Sequence, residues 1–196
     1  KHIAIGSLGQ YLRKSKKFFK TTPKKFLITS ASKENKLKKE FFNNSKFKVG
    51  ISWRTLNKKQ KFRNIDLEQM LPILSIPECD FISLQFGKFE DEVKYCNSKF
   101  NTNIRLINEI DNFYDLDGFA TLINCLDLIV TIQNSTAHIS GALGKKTYVM
   151  VTKTGTSKWH WLEKKKKSIW YPSLTIFKQK KMGDWNTVTD DITINL

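Results

Sequence analysis

Apolar and polar positions fall into blocks along this chain, and the period changes from block to block. Phe47 to Trp53 (FKVGISW), Asp80 to Gln85 (DFISLQ), Leu126 to Ile132 (LDLIVTI) and Thr147 to Val151 (TYVMV) are short, nearly continuous apolar runs. Runs of this length, rich in Val, Ile and Phe, read as buried strands. Between them the apolar residues recur at helical spacing: Leu67, Met70, Leu71 and Leu74 within Asp66 to Leu74, and Leu116, Phe119, Ala120, Leu122 and Ile123 behind a capping Asp115. Phe89 to Phe100 reads as a polar helix, Asn103 to Ile107 and Leu174 to Phe177 as short strands. Asp184 caps a terminal helix carrying Trp185, Val188 and Ile192. Ahead of these, Lys33 to Phe42 follows Ser32 as a cap and sets Leu37, Phe41 and Phe42 on one side. Strands separated by helices predict an α/β fold, a parallel sheet of about five or six strands with helices on both faces. That domain spans residues 47–196, behind a basic, partly helical extension over residues 1–46.

The most informative stretch is Leu126 to Met150. A strand ends in Gln133-Asn134-Ser135-Thr136, a small-residue helix follows, and Gly144 stops it before the next strand. With Ser135 as the N-cap, His138 is the third helical residue. A helix N-terminus at the carboxyl edge of a parallel strand offers free N–H groups and the positive end of the helix dipole to an anion. The loops after Trp53, Gln85, Ile107 and Ile132 should converge on one crevice there. The loop Arg54 to Asn64 adds Arg54, Lys58, Lys59, Lys61 and Arg63, which read as a cationic flap over a phosphate or as a solvated loop. His138 reads as a phosphate contact or as a satisfied buried histidine. Asp111, Asp115 and Asp117 could receive sugar hydroxyls, with helix capping by Asp115 the better account. The aromatic segments Trp159 to Trp161 and Trp170-Tyr171 read as packing at the sheet edge.

Composition narrows the classes. There is no apolar run long enough for a transmembrane helix and no signal-peptide core. There is no GxGxxG after the first strand, no GxxxxGK[ST] and no GxSxG, which disfavours ordinary NAD, P-loop and serine-hydrolase chemistry. Three cysteines without CxxC spacing and three histidines do not make a disulfide framework or a metal site, and reduced thiols point to the cytoplasm. The net charge of +16 is uneven: residues 1–63 hold 19 basic and 2 acidic residues, the rest 15 and 16. Such an arm suits a polyanion or an anionic membrane surface, but no base-reading element accompanies it. Lysine abundance along the whole chain makes solvated faces the simpler account. The chain begins at Lys1 rather than Met, as a fragment would.

The ordered segments VGISWR, FISLQFG, DLDGFATLINCLDLIVTIQNSTAHISGALGKK, WHWL, WYPSLTIFKQ and GDW resemble the carboxyl-terminal half of bacterial tetratricopeptide-repeat glycosyltransferases. These are similar to the ADP-heptose transferases and, more distantly, to O-linked N-acetylglucosamine transferases. Gly6 to Arg13 (GSLGQYLR) is similar to the linker of that family. The resemblance implies the second, Rossmann-like half of a GT-B fold, an inverting and metal-independent glycosyltransferase of hexoses or heptoses, and no cofactor. It implies a UDP-, GDP- or ADP-linked sugar as donor. Ser52, Trp53 and Arg54 would approach the diphosphate, with Arg63 as a further basic contact. Leu84 and Gln85 would line the nucleoside pocket. Asn134, Ser135, Thr136 and His138 would cradle the diphosphate, His138 as the catalytic residue that stabilises the leaving group. The acceptor, a protein or glycan, and the catalytic base would belong to an amino-terminal domain outside this chain, working in the cytoplasm or at the inner face of the membrane. Gln133-Asn134, Lys145-Lys146 and a glycine-free Leu56 to Lys61 depart from the family pattern. The alternatives are a non-catalytic nucleotide-sugar-binding module and a basic polyanion binder without specificity for a nucleic acid.

Overall fold

The computed structural model describes residues 7–153, 161 and 166–196. Six strands form one parallel sheet: β1 (Phe47–Ser52), β2 (Cys79–Ser83), β3 (Ile104–Arg105), β4 (Leu128–Ile132), β5 (Thr147–Val151) and β6 (Leu174–Lys178). Their spatial order is β3-β2-β1-β4-β5-β6, with every neighbour parallel. β2, β4 and β5 are buried along their whole length, as strands covered by helices on both faces must be. The helices are α1 (Gly9–Leu12), α2 (Ala31–Phe41), α3 (Leu71–Leu74), α4 (Glu90–Phe100), α5 (Leu116–Cys125), α6 (Ser135–Ala142) and α7 (Asn186–Ile194). The α/β architecture is therefore the one that the hydrophobic pattern predicts.

Alternation along the strands divides the core. Leu128, Val130 and Ile132 join Ile51, Met70, Trp185 and Ile192 on one face of the sheet. Ile129 joins Ile82, Leu84, Phe119 and Leu122 on the other. Gly50 allows the second layer to close: a Cβ there would lie 2.5 Å from Leu84 Cδ1 and 2.7 Å from Leu126 Cδ1. The amino edge of the sheet is held by charge. Lys48 and Asp80 are buried and paired at 3.4 Å, and Asn44 Nδ2 donates to Asp80 at 2.8 Å.

Several helices differ from the sequence reading. The terminal one, α7, has Trp185 and not Asp184 at its N-cap position, although Asp184 Oδ1 still accepts from Thr187 N at 3.3 Å. Asp66 to Leu74 is not one helix but a 3-10 turn over Leu67–Met70 followed by α3. Pro72 lacks an N–H and suits only the first turn of a new helix. α2 begins at Ala31 after Ser30, so Ser32 is not its cap; the Ser30 and Ser32 hydroxyls bond each other at 2.8 Å. α2 packs on α5, and Asn124 Nδ2 donates to Glu34 Oε1 at 2.8 Å. Before it, Phe26 N and Leu27 N both donate to Ala142 O, at 2.6 and 3.0 Å. Among the described residues no helix is long and apolar enough to cross a membrane.

Candidate functional site

The strand order places a topological switch between β1 and β4. The chain winds outward from β1 to β3, then returns to build β4 to β6 on the other side. Ligand crevices in such sheets open at the carboxyl ends of the strands beside the switch. Here those ends are joined by amide side chains. Gln85 Oε1 accepts from Trp53 N at 3.0 Å, from Arg54 N at 2.8 Å and from Ser52 Oγ at 3.3 Å. Its Nε2 donates to Arg54 O and Phe86 O, at 3.2 and 3.1 Å. Asn134 Nδ2 donates to Ser52 Oγ at 2.8 Å, across the switch itself. Gln133 Oε1 accepts from both Thr152 N and Thr152 Oγ1 at 3.1 Å, joining the ends of β4 and β5. Gln179 Oε1 accepts from Lys153 N at 3.2 Å and Gly183 N at 3.3 Å, extending the row to β6. Gln179 is absent from the residues singled out in the sequence; its place one residue after a short apolar strand was the available signal.

α6 starts at the switch, but Ser135 is not its cap. Asn134 takes that position, and its side chain accepts from Ala137 N at 3.4 Å. Asn134 has extended backbone while Ser135 is already helical, so the residue that leaves the strand is the one free to cap. Ser135 becomes the first, exposed helical residue, and His138 the fourth rather than the third. The opening N–H groups of α6 have no intrahelical acceptor. The His138 ring is half-buried between aromatic rings, 5.3 Å from Trp161 and 5.9 Å from Tyr171 between centroids. Its Nδ1 lies 3.4 Å from the Tyr171 hydroxyl. Burial raises the Tyr171 phenol above its usual range, so the hydroxyl keeps its proton.

The two arginines of the loop after β1 have opposite surroundings. Arg54 is engaged: its Nε lies 2.9 Å from Glu92 Oε2, and its Nη2 lies 2.8 Å from Glu92 Oε1 and 2.9 Å from Asp66 Oδ1. The bond to Glu92 raises its pKa further. Arg63 is only 5 % exposed and, among the described residues, has no carboxylate partner. Its Nη1 donates to Gln60 Oε1 at 2.8 Å and reaches Gln133 O at 3.4 Å, while its Nε has no acceptor. Burial without a counter-charge pulls its pKa down. Also buried and unpartnered are Gln133 Nε2, on the residue whose carbonyl Arg63 reaches, and Thr136 Oγ1 in the first turn of α6. Lys58, Lys59 and Lys61 are exposed, so of the five basic residues in this loop only Arg63 is buried in the sheet edge.

On the other side of β1 the loops after β1, β2 and β3 enclose a cavity of about 550 Å³. Leu56, Gln85, Phe86, Phe89, Ile107, Ile110 and Asn112 are among its lining residues. Leu84 is wholly buried in the core below it, so Leu84 is a floor residue and lines no part of the opening. Asn112 Nδ2 donates to Gln85 O at 3.2 Å, and its Oδ1 is buried without a partner. The aspartates all make local bonds, although Asp111 also lines the cavity. Asp111 accepts from Phe113 N and Tyr114 N at 2.8 and 2.9 Å, Asp115 caps α5 through Gly118 N at 2.8 Å, and Asp117 pairs with Lys33. Trp161 packs with Ala137, Val149, Val151, Leu174 and Ile176, as edge packing requires. Trp159, His160, His2 and Gly6 lie outside the described residues.

No protein-family model matches the chain. Over 142 residues, 70 % of its length, it is 30 % identical to Protein FlbA of Caulobacter vibrioides, of which the match covers 23 %. The chain thus spans about a quarter of the curated relative it matches. Among solved structures it is similar to E. coli ADP-heptose LPS heptosyltransferase II, with a TM-score of 0.60 at 11 % identity over 86 % of this chain and 53 % of that one. A glycosyl transferase family 9 protein from Veillonella parvula gives 0.60 at 6 % identity, covering 86 % of this chain and 51 % of that one. E. coli heptosyltransferase WaaC with ADP gives 0.56 at 10 % identity, covering 83 % and 48 %. At these identities the likeness is one of fold: the chain has the architecture of about half of a GT-B heptosyltransferase.

Proposed function

We propose that the chain is the donor-binding half of a glycosyltransferase, and that its site holds a nucleotide sugar by the diphosphate. The observation that carries this reading is Arg63, a buried cation without a counter-charge at the carboxyl edge of the sheet. A buried unpaired charge costs several kcal/mol; a site that binds a dianion recovers that cost when the ligand arrives. The opening N–H groups of α6, Gln133 Nε2 and Thr136 Oγ1 supply further donors on the same strand edge. The neighbouring cavity is of nucleoside size and lined by aromatic and aliphatic side chains together with polar ones, among them Gln85, Asn108, Asp111 and Asn112. β1 lies between the cavity and α6 in the sheet order, so a ligand filling both crosses the end of β1 at Ser52 and Trp53. That is the arrangement of a nucleoside with its diphosphate.

In this reading Arg63 and α6 stabilise the negative charge that develops on the leaving diphosphate, in place of a metal ion. His138, held by Trp161 and Tyr171, adds a hydrogen bond to the same group. Gln85 acts on the donor indirectly, by fixing the backbone of Trp53 and Arg54. Arg54 is neutralised by Glu92 and Asp66 and contributes shape more than charge. An ADP-linked sugar is the first donor to test, because two of the structural neighbours were solved with ADP or an ADP-heptose analogue.

The experiment is calorimetric titration with ADP, UDP and GDP, each against its nucleoside, on the wild-type chain and on Arg63→Met. We expect a diphosphate to bind and the nucleoside to bind more weakly. Arg63→Met should remove about 1.5–3 kcal/mol from the diphosphate alone, the range for hydrogen bonds to charged groups. Absence of binding by every nucleoside diphosphate would overturn the reading.

A further inference from the structure

Residues 7–28 contain seven Lys or Arg and no Asp or Glu. On the same segment Tyr11, Leu12, Phe18, Phe26, Leu27 and Ile28 are exposed, Leu12 by 63 % and Ile28 by 85 %. Elsewhere among the described residues exposed apolar side chains stand apart, except Phe113, Tyr114 and Leu116 around the start of α5, two of which line the cavity. Here they crowd a short stretch and are interleaved with cations.

The segment is not a loose tail. Phe26 N and Leu27 N donate to Ala142 O. Phe19 meets Trp170 edge-on at 4.7 Å, and the Arg13 guanidinium lies 4.9 Å above the Phe19 ring. Phe26 meets Tyr171 edge-on at 6.4 Å. Its backbone is thus fastened along the end of α6 while apolar ends and Lys14, Lys17, Lys20, Lys24 and Lys25 stay in solvent.

We propose that residues 7–28 form a strap that docks the domain on an anionic membrane surface. The lysines would face the headgroups, and Tyr11, Leu12, Phe18, Leu27 and Ile28 would enter the interfacial layer. Clustered cations gain from the negative surface potential, and apolar ends gain from leaving water at the acyl boundary. A nucleic acid offers the charge but not the second term. Leu12, Leu27 and Ile28 are aliphatic and cannot stack on bases, and the segment holds one arginine and no base-reading element. None of residues 7–28 lines the cavity, and the side chains that would enter the interfacial layer are not Phe19 and Phe26, which meet Trp170 and Tyr171, so the proposal stands apart from the donor reading.

The test is flotation of the 196-residue chain with vesicles of phosphatidylcholine, alone or with about one third phosphatidylglycerol. Two double variants accompany it, Leu12→Ser with Ile28→Ser and Lys17→Glu with Lys20→Glu. All four positions are exposed, and thermal melts should match the wild type. The wild type should partition at least about tenfold more strongly onto the anionic vesicles, and each pair of substitutions should lower this by about tenfold. Salt should weaken binding without abolishing it. Failure to float on anionic vesicles would overturn the proposal. So would an apolar variant that floats like the wild type, which would mean adsorption by charge alone. Tighter binding to a single-stranded oligonucleotide than to vesicles, indifferent to Leu12 and Ile28, would replace the membrane with a nucleic acid.

Discussion

Arg63 and Arg54 stand nine residues apart on one loop and show how little residue type alone decides. Sequence marks both as phosphate candidates; three-dimensional neighbours separate them, because Glu92 reaches Arg54 from α4 and Asp66, only three residues after Arg63, also pairs with Arg54 instead. The buried, unpaired state of Arg63 has a consequence opposite in sign to most core changes. Replacing it with Met removes an uncompensated charge at similar volume, so the unliganded protein should melt higher, by about 1–4 kcal/mol of stability. The same variant should lose its diphosphate-induced rise in melting temperature. A melt that falls without ligand would mean that the bonds from Arg63 to Gln60 Oε1 and Gln133 O outweigh the cost of its buried charge. His138 divides differently. Its ring is wedged between Trp161 and Tyr171, so His138→Ala should cost about 1 kcal/mol of stability as well as diphosphate affinity. Equal losses in nucleoside and diphosphate titrations would make it a packing residue. The histidine was visible in the sequence, but its aromatic neighbours, one of them Tyr171 from far along the chain, were not.

At the level of elements, the hydrophobic period was enough to locate each of the six described strands, because buried parallel strands leave unbroken apolar runs. It failed where a single hydrogen bond chooses between neighbours. Asn134 and Ser135 are both good caps, and the choice follows from where β4 stops. The amino edge holds another feature that no period encodes, the buried Lys48–Asp80 pair. Burial alone would raise the Asp80 pKa, but the Asn44 amide and the Lys48 ammonium outweigh it and hold the carboxyl below its usual range. A depressed folded pKa contributes stability that is complete above the unfolded value, about 3.9, and is lost as pH falls through the folded value. Asp80→Asn should therefore flatten the acid limb of a stability-against-pH curve measured by denaturant titration. Asp80→Ala should cost about 3–5 kcal/mol near neutrality, because Lys48 is then buried without its counter-charge. An acid limb unchanged in Asp80→Asn would show that other carboxylates govern it.

For the whole molecule, the question is how much of a reaction one half-fold can perform. In the proposed reading the crevice offers donors to a diphosphate. The carboxylates lining the cavity are Glu90 and Asp111, and Asp111 already accepts from two backbone N–H groups, while Asp115 caps α5 and Asp117 pairs with Lys33 outside it. The solved neighbours are about twice the length that this chain covers. Binding and turnover should therefore separate. A nucleoside diphosphate at a hundredfold excess over its dissociation constant should stabilise the chain by about 2.7 kcal/mol, visible as a higher melting temperature. The matching nucleotide sugar should bind at the same site and remain intact over hours, since the groups named here stabilise a leaving diphosphate and none is placed to activate an acceptor hydroxyl. Chromatography of donor incubated with the chain, with and without peptide or glycan acceptors, decides the point. Donor recovered whole beside a clear ligand-induced melting shift fits a donor-binding half. Sugar transfer by this chain alone would mean that a base lies within the 196 residues, and the aspartates of the loop after β3 would be the first to substitute.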